Sequence, residues 1–132
     1  MSDCIFVYGT LMRGFDHPMS KLLASGSDFL GEASCPGRLY MIAEYPGLLH
    51  AAAGGDIVHG DLFRMRNPDE LLAVLDAYEG IGPDEEQPTL YLREMLPVTL
   101  GEGGSVTEAW TYIYNRPVID AKRIASGRFL AP

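Results

Sequence analysis

Basic residues are scarce in this sequence: 10 Lys and Arg stand against 18 Asp and Glu, a formal net charge of -8 over 132 residues. That balance argues against nucleic acid and against anionic membrane surfaces, both of which are gripped by basic patches. Long apolar runs are missing as well, and none approaches the ~20 residues of a membrane-spanning helix. The opening Met1-Ser2-Asp3 lacks the basic start of a secretory signal, so a cytoplasmic location is expected. Cysteine is limited to Cys4 and Cys35, neither in a Cys-x-x-Cys pair nor beside a His at metal-ligand spacing. Both are expected to be reduced core residues. The three histidines, His17, His50 and His59, are scattered and form no zinc or triad pattern, so they are read as ordinary surface or core residues.

What is present is enough for a core. Hydrophobic residues make up 47% of the chain and charged residues 21%, which fits one folded domain spanning residues 1–132. Cys4–Tyr8, rich in β-branched and aromatic residues, reads as a short buried strand. A short helix over 17–26 and strands over 29–35, 38–42 and 56–65 follow, and the Pro-, Gly- and Ala-rich stretch 45–55 reads as a loop. One helix is well signposted. Asn67 offers an N-cap, Pro68 a first helical position, Asp69 and Glu70 an acidic first turn, and Gly80 a stop. Strands over 91–100 and 106–115 flank the hairpin signal Gly101-Glu102-Gly103-Gly104-Ser105, and the tail from Arg116 shows little periodicity and is expected to pack loosely. The sum is a strand-rich α+β domain with a curled or barrel-like sheet.

Two places break the pattern. After the first strand, Gly9 lets the chain turn and present successive N–H groups, with the Thr10 hydroxyl beside them. Such a turn suits a small anion or a polarised carbonyl, although a plain strand-to-loop turn has the same residues. The second is Glu79. Leu71, Leu72, Leu75 and Tyr78 form an apolar stripe, and Glu79 falls on the same stripe in the last helical turn. Burial and the helix dipole would both raise its pKa there. The alternative is a frayed helix end with Glu79 in water. Asp76, on the flank of the stripe, is expected to face solvent.

Taken in order, Val7-Tyr8-Gly9-Thr10-Leu11 with Gly14, Val58-His59-Gly60-Asp61-Leu62-Phe63, Leu75-Asp76-Ala77-Tyr78-Glu79, Tyr91-Leu92-Arg93 and Tyr112-Ile113-Tyr114 resemble the gamma-glutamylcyclotransferase superfamily. The resemblance is greatest to its gamma-glutamylamine cyclotransferase and bacterial AIG2-like branch. It implies a single-domain mixed β-barrel with flanking helices and a cavity at the barrel mouth. Tyr8, Gly9, Thr10 and Leu11 would line that cavity and bind substrate, Glu79 falls on the catalytic glutamate, and Tyr114 matches a tyrosine that borders the pocket. The implied reaction converts a small gamma-glutamyl amine or peptide to 5-oxoproline and a free amine, with Glu79 as general acid and base and no metal or organic cofactor. A non-catalytic metabolite-binding module and an amide hydrolase on the same fold are the other readings of these residues. The acidic stretch between Glu79 and Tyr91 is longer than in compact members and is expected to border the entrance.

Overall fold

A computed structural model describes residues 3–12, 17–43, 45–50, 56–81, 89–101, 103–118 and 121–129. Along the chain these form β1 (Cys4–Val7), α1 (Pro18–Ser25), β2 (Ser27–Pro36), β3 (Arg38–Met41), β4 (Pro46–Leu49), β5 (Ile57–Met65), α2 (Pro68–Tyr78), β6 (Tyr91–Leu100), β7 (Val106–Tyr114) and β8 (Lys122–Ile124). Strands β1-β5-β2-β6-β7 close into a barrel, and β4-β3-β8 make a separate three-stranded sheet. Closure comes from a parallel pairing of β1 with β7, Ile5 opposite Trp110 and Phe6 opposite Thr111; the other barrel pairs are antiparallel. The barrel is therefore mixed, the α+β architecture expected from the sequence.

Alternation along β1 divides the core in two. Phe6 joins Cys35, Val58, Leu62, Val98 and Ile113 in the barrel interior. Ile5 and Val7 point the other way, into a layer with Phe63 and the α2 residues Leu71, Leu72 and Leu75. The helix thus lies on the outside of the barrel wall that carries β1, and both cysteines are buried and outside any disulfide.

Four local expectations are corrected. Residues 46–49, read as loop, are β4, paired with β3 from Pro46–Met41 to Leu49–Arg38. Proline opens this edge strand, where its missing N–H costs no ladder bond; residues 51–55 lie outside the described residues. The tail is anchored, since β8 pairs with β3 and the Gly127 carbonyl accepts from the His59 amide at 2.8 Å. Three residues are too few to leave a periodic signature. Asn67 occupies the N-cap position of α2 without a side-chain cap bond, because its Nδ2 donates to Glu70 Oε2 at 2.7 Å. Tyr78 leaves the apolar stripe, 45% exposed, with its hydroxyl 3.1 Å from His17 Nε2. His17 in turn caps α1, its Nδ1 accepting from the Met19 amide at 3.1 Å.

The stop of α2 matters most for function. Gly80 adopts φ 76°, the Ile81 amide donates to Asp76 O and the Gly80 amide to Ala77 O. This is the six-to-one and five-to-two pattern of a Schellman ending, for which a residue without Cβ is favoured. It fixes Glu79 as the C-cap. Among the described residues no helix is long and apolar enough to cross a membrane.

Candidate active site

The end of β1, the end of α2, β4 and the β6–β7 hairpin converge on one narrow cavity. Phe6, Val7, Tyr8, Gly9, Thr10, Leu11, Pro46, Glu79, Tyr91 and Tyr112 line it, and it encloses about 40 Å³, room for an ordered water or the tip of a ligand. The structure thus brings Tyr8, Gly9, Thr10, Leu11 and Glu79 together around one space.

Each wall is held by a bond the sequence did not disclose. The Tyr8 hydroxyl donates to Tyr112 O at 2.6 Å and accepts from the Leu48 amide at 3.1 Å, tying β7 to β4. Its oxygen is spent on the fold, and the ring is what faces the cavity. Tyr91 donates to Pro46 O at 2.6 Å, which pins the wall opposite Gly9. Gly9 itself does not have positive φ; a Cβ there would stand 2.8 Å from Pro46 Cγ. Glycine is needed for close approach, not for an unusual backbone. The Gly9 carbonyl accepts from the Met12 amide at 3.0 Å, so residues 9–12 form a hydrogen-bonded turn.

Glu79 is the charged group on this lining. Burial, and then the nearby Asp76 carboxylate, push its pKa up to about 7 from an ordinary 4.5. Burial likewise raises the phenols of Tyr8, Tyr91 and Tyr112, so all three stay neutral through the physiological range. Asp76 does not face solvent as expected. Arg93 donates to it from Nε at 2.8 Å and from Nη2 at 3.0 Å, and the Tyr112 hydroxyl donates to Oδ1 at 2.8 Å.

Tyr114 is not among the cavity-lining residues. It sits two positions beyond Tyr112 on the same face of β7, about 7 Å farther along the strand. Its ring packs edge-on against Tyr91 with centroids 5.6 Å apart, and a Cβ on Gly47 would meet its Cβ at 2.7 Å. Tyr114 therefore buttresses the Tyr91 wall. The lining residues missed at the sequence level are Tyr91 and Tyr112, together with Pro46, Phe6 and Val7. Only the first two carried a signal, as same-face aromatics in strands already read as long. Gly14 and residues 82–88, which include most of the acidic stretch after Glu79, lie outside the described residues.

The profile of the gamma-glutamyl cyclotransferase, AIG2-like family matches residues 5–131. The chain belongs to that family. Within it, the gamma-glutamylcyclotransferase family protein YtfP of Escherichia coli is 35% identical over 129 residues, covering 96% of this chain and 95% of its own. The solution structure of E. coli YtfP superposes with a TM-score of 0.63 over 96% of both chains, at 33% identity. An AIG2-like protein from Mus musculus superposes at 0.67, with 27% identity over 87% of this chain and 80% of that one. The barrel and the two helices are thus those of an AIG2-like fold.

Proposed function

We propose that this AIG2-like protein cyclises a gamma-glutamyl amine or peptide, releasing 5-oxoproline and a free amine, with Glu79 as general base and acid. The observation that carries the reading is the position of Glu79, confined at the cavity with a pKa of about 7. At neutral pH such a carboxyl is divided between its two forms, so it can both take and give a proton.

The chemistry closes without a co-reactant. The α-ammonium of the glutamyl group gives a proton to Glu79, and the freed amine attacks the side-chain carbonyl of the same residue. A carbon–nitrogen bond forms in the five-membered lactam. Glu79 then gives that proton to the departing nitrogen as its bond to the carbonyl carbon breaks, and the extra proton left on the ring nitrogen passes by the same carboxylate to the freed amine, which leaves as its ammonium. No water is consumed. Because nucleophile and electrophile belong to one molecule, the site's main task is to hold the folded-back conformer. A cavity of about 40 Å³ suits that task, since it admits the reacting end and leaves the amine substituent at the mouth. The amides of Gly9, Thr10 and Leu11 would hold the substrate carboxylate or the developing oxyanion, and the rings of Tyr8, Tyr91 and Tyr112 would exclude water.

The test is a panel of gamma-glutamyl compounds incubated with the protein and with Glu79→Gln, read by mass spectrometry for 5-oxoproline. Product from the parent alone supports the reading. Free glutamate in place of 5-oxoproline would make the protein a hydrolase, and binding without any product would make it a metabolite-binding module.

A further inference from the structure

Asp76 and Arg93 do no chemistry in the reaction above, and neither lines the cavity, yet their side chains are only 19% and 23% exposed. Arg93 and Tyr112 are directly opposite in the β6–β7 register, so their side chains share one face of the hairpin. Both reach the same acceptor, Asp76, which arrives from the last turn of α2. The guanidinium grips both carboxylate oxygens and lies 4.3 Å from the centroid of the Trp110 ring, which fixes its plane. Three elements meet in this one cluster. Glu79 follows Asp76 by three positions, the spacing that puts Cβ atoms roughly 5–6 Å apart on one side of a helix.

We propose that Arg93 and Asp76 are positioning residues for Glu79: their fork holds the last turn of α2 against the β6–β7 hairpin and sets the charge that Glu79 faces. The inference rests on the cyclotransferase reading for its catalytic consequence alone. The Arg93 cation offsets part of the Asp76 anion, whose remaining charge still raises the Glu79 pKa. Removing either member exposes the other. In Asp76→Asn the cation remains and favours ionised Glu79. In Arg93→Gln an uncompensated carboxylate remains in the same helical turn, at the end where the dipole already disfavours negative charge. Other groups facing Glu79 are Tyr8 just past β1, Tyr91 from β6 and Tyr112 from β7, all phenols held neutral by burial. From α1, His17 reaches this end of the helix through the Tyr78 hydroxyl. Of these only Tyr112 touches the fork, its hydroxyl donating to Asp76, and burial keeps it neutral in either variant.

The deciding measurement is the titration of Glu79 itself, followed by NMR of protein labelled with carbon-13 at the glutamate carboxyl. The Glu79 signal is the one absent from Glu79→Gln. In the parent the midpoint is expected near 7. It should move down by about one pH unit in Asp76→Asn and up by about one in Arg93→Gln. A residue that only braced the fold would leave the midpoint where it was, so no movement, or movement of both variants in one direction, overturns the proposal. Should Arg93→Gln fail to fold, Arg93→Lys decides: it keeps the charge and loses the fork. Its midpoint should then stay close to the parent's, and a rise of about one unit would overturn the proposal. Because the readout is a titration, a parent that makes no 5-oxoproline would defeat the proposed reaction and leave this test standing. In an active protein the acid limb of kcat follows the same two directions.

Discussion

The cavity at Glu79 encloses about 40 Å³, whereas a groove over the outer face of β2, β5 and β6 encloses about 900 Å³ and carries Glu32, Ser34, His59, Asp61, Thr99 and Arg128. By size and number of charges the groove is the better-equipped site. Its polar residues are there by register: Glu32 is opposite Asp61, Ser34 opposite His59, and Thr99 opposite Ser34, so all five project from one face. Water reaches that face, and the titration of His59 moves only downward, through partial burial and the Arg128 charge. In the narrow cavity one carboxylate is walled by aromatic rings whose hydroxyls are already engaged by the fold. The comparison teaches that confinement, not capacity, brings a proton-transfer group to neutral pH.

The strongest way to break this comparison is to neutralise the confined acid. Glu79→Gln keeps the shape and loses the proton, and turnover to 5-oxoproline should fall by roughly 10²–10⁴-fold. Undiminished product from the variant would sink the assignment. A second effect of the same residue appears in stability. Below about pH 4.5 the Glu79 carboxyl is protonated in both the folded and the unfolded chain, and its raised pKa costs nothing. As pH rises through about 7, the unfolded chain has already released its proton while the folded one resists, so stability falls. The full penalty above that range is about 3 kcal/mol. Glu79→Gln should therefore gain that much on the parent at pH 8 and nothing at pH 4, read from paired denaturant titrations. Equal differences at both pH values would show that Glu79 is solvated.

Gly9→Ala tests the wall and not the base. The added Cβ meets Pro46, which cannot retreat freely because its carbonyl holds the Tyr91 hydroxyl and β4 is paired to β3. Overpacking of this kind costs about 1–3 kcal/mol. If the cavity is the substrate site, KM should rise more than kcat falls; a variant with parental KM would place substrate elsewhere.

Much of this arrangement was legible because it is local. The α2 stop could be read from Gly80, and with it the place of Glu79, since a Schellman ending is specified by a few consecutive residues. The strand leading into Tyr8 was equally plain. Barrel closure was not, because nothing in Cys4–Val7 states that its partners will be β5 and β7. The same blindness explains Asp76, whose position on the helix flank is compatible with solvent until Arg93 and Tyr112 arrive from a hairpin 17 and 36 residues away. Tyr114 was misplaced for the opposite reason. It shares a strand face with Tyr112, and only the depth of the cavity along that strand separates the lining residue from the one behind it.

The smallest expected effect belongs to the groove. His59→Gln removes the ring most exposed to the argument that polar residues in a large hollow imply a site. The bond that anchors the tail here runs from the His59 backbone amide to Gly127 O, and glutamine keeps it. With no side-chain hydrogen bond from His59 among the described residues, stability should change by less than about 0.5 kcal/mol. Turnover should remain at the parental level across the whole panel of gamma-glutamyl compounds. If instead His59→Gln lost activity to the extent expected of Glu79→Gln, with its fold intact, the reacting groups would extend into the groove. Confinement would then no longer distinguish the two hollows, and the narrow cavity would be only the inner end of a larger site.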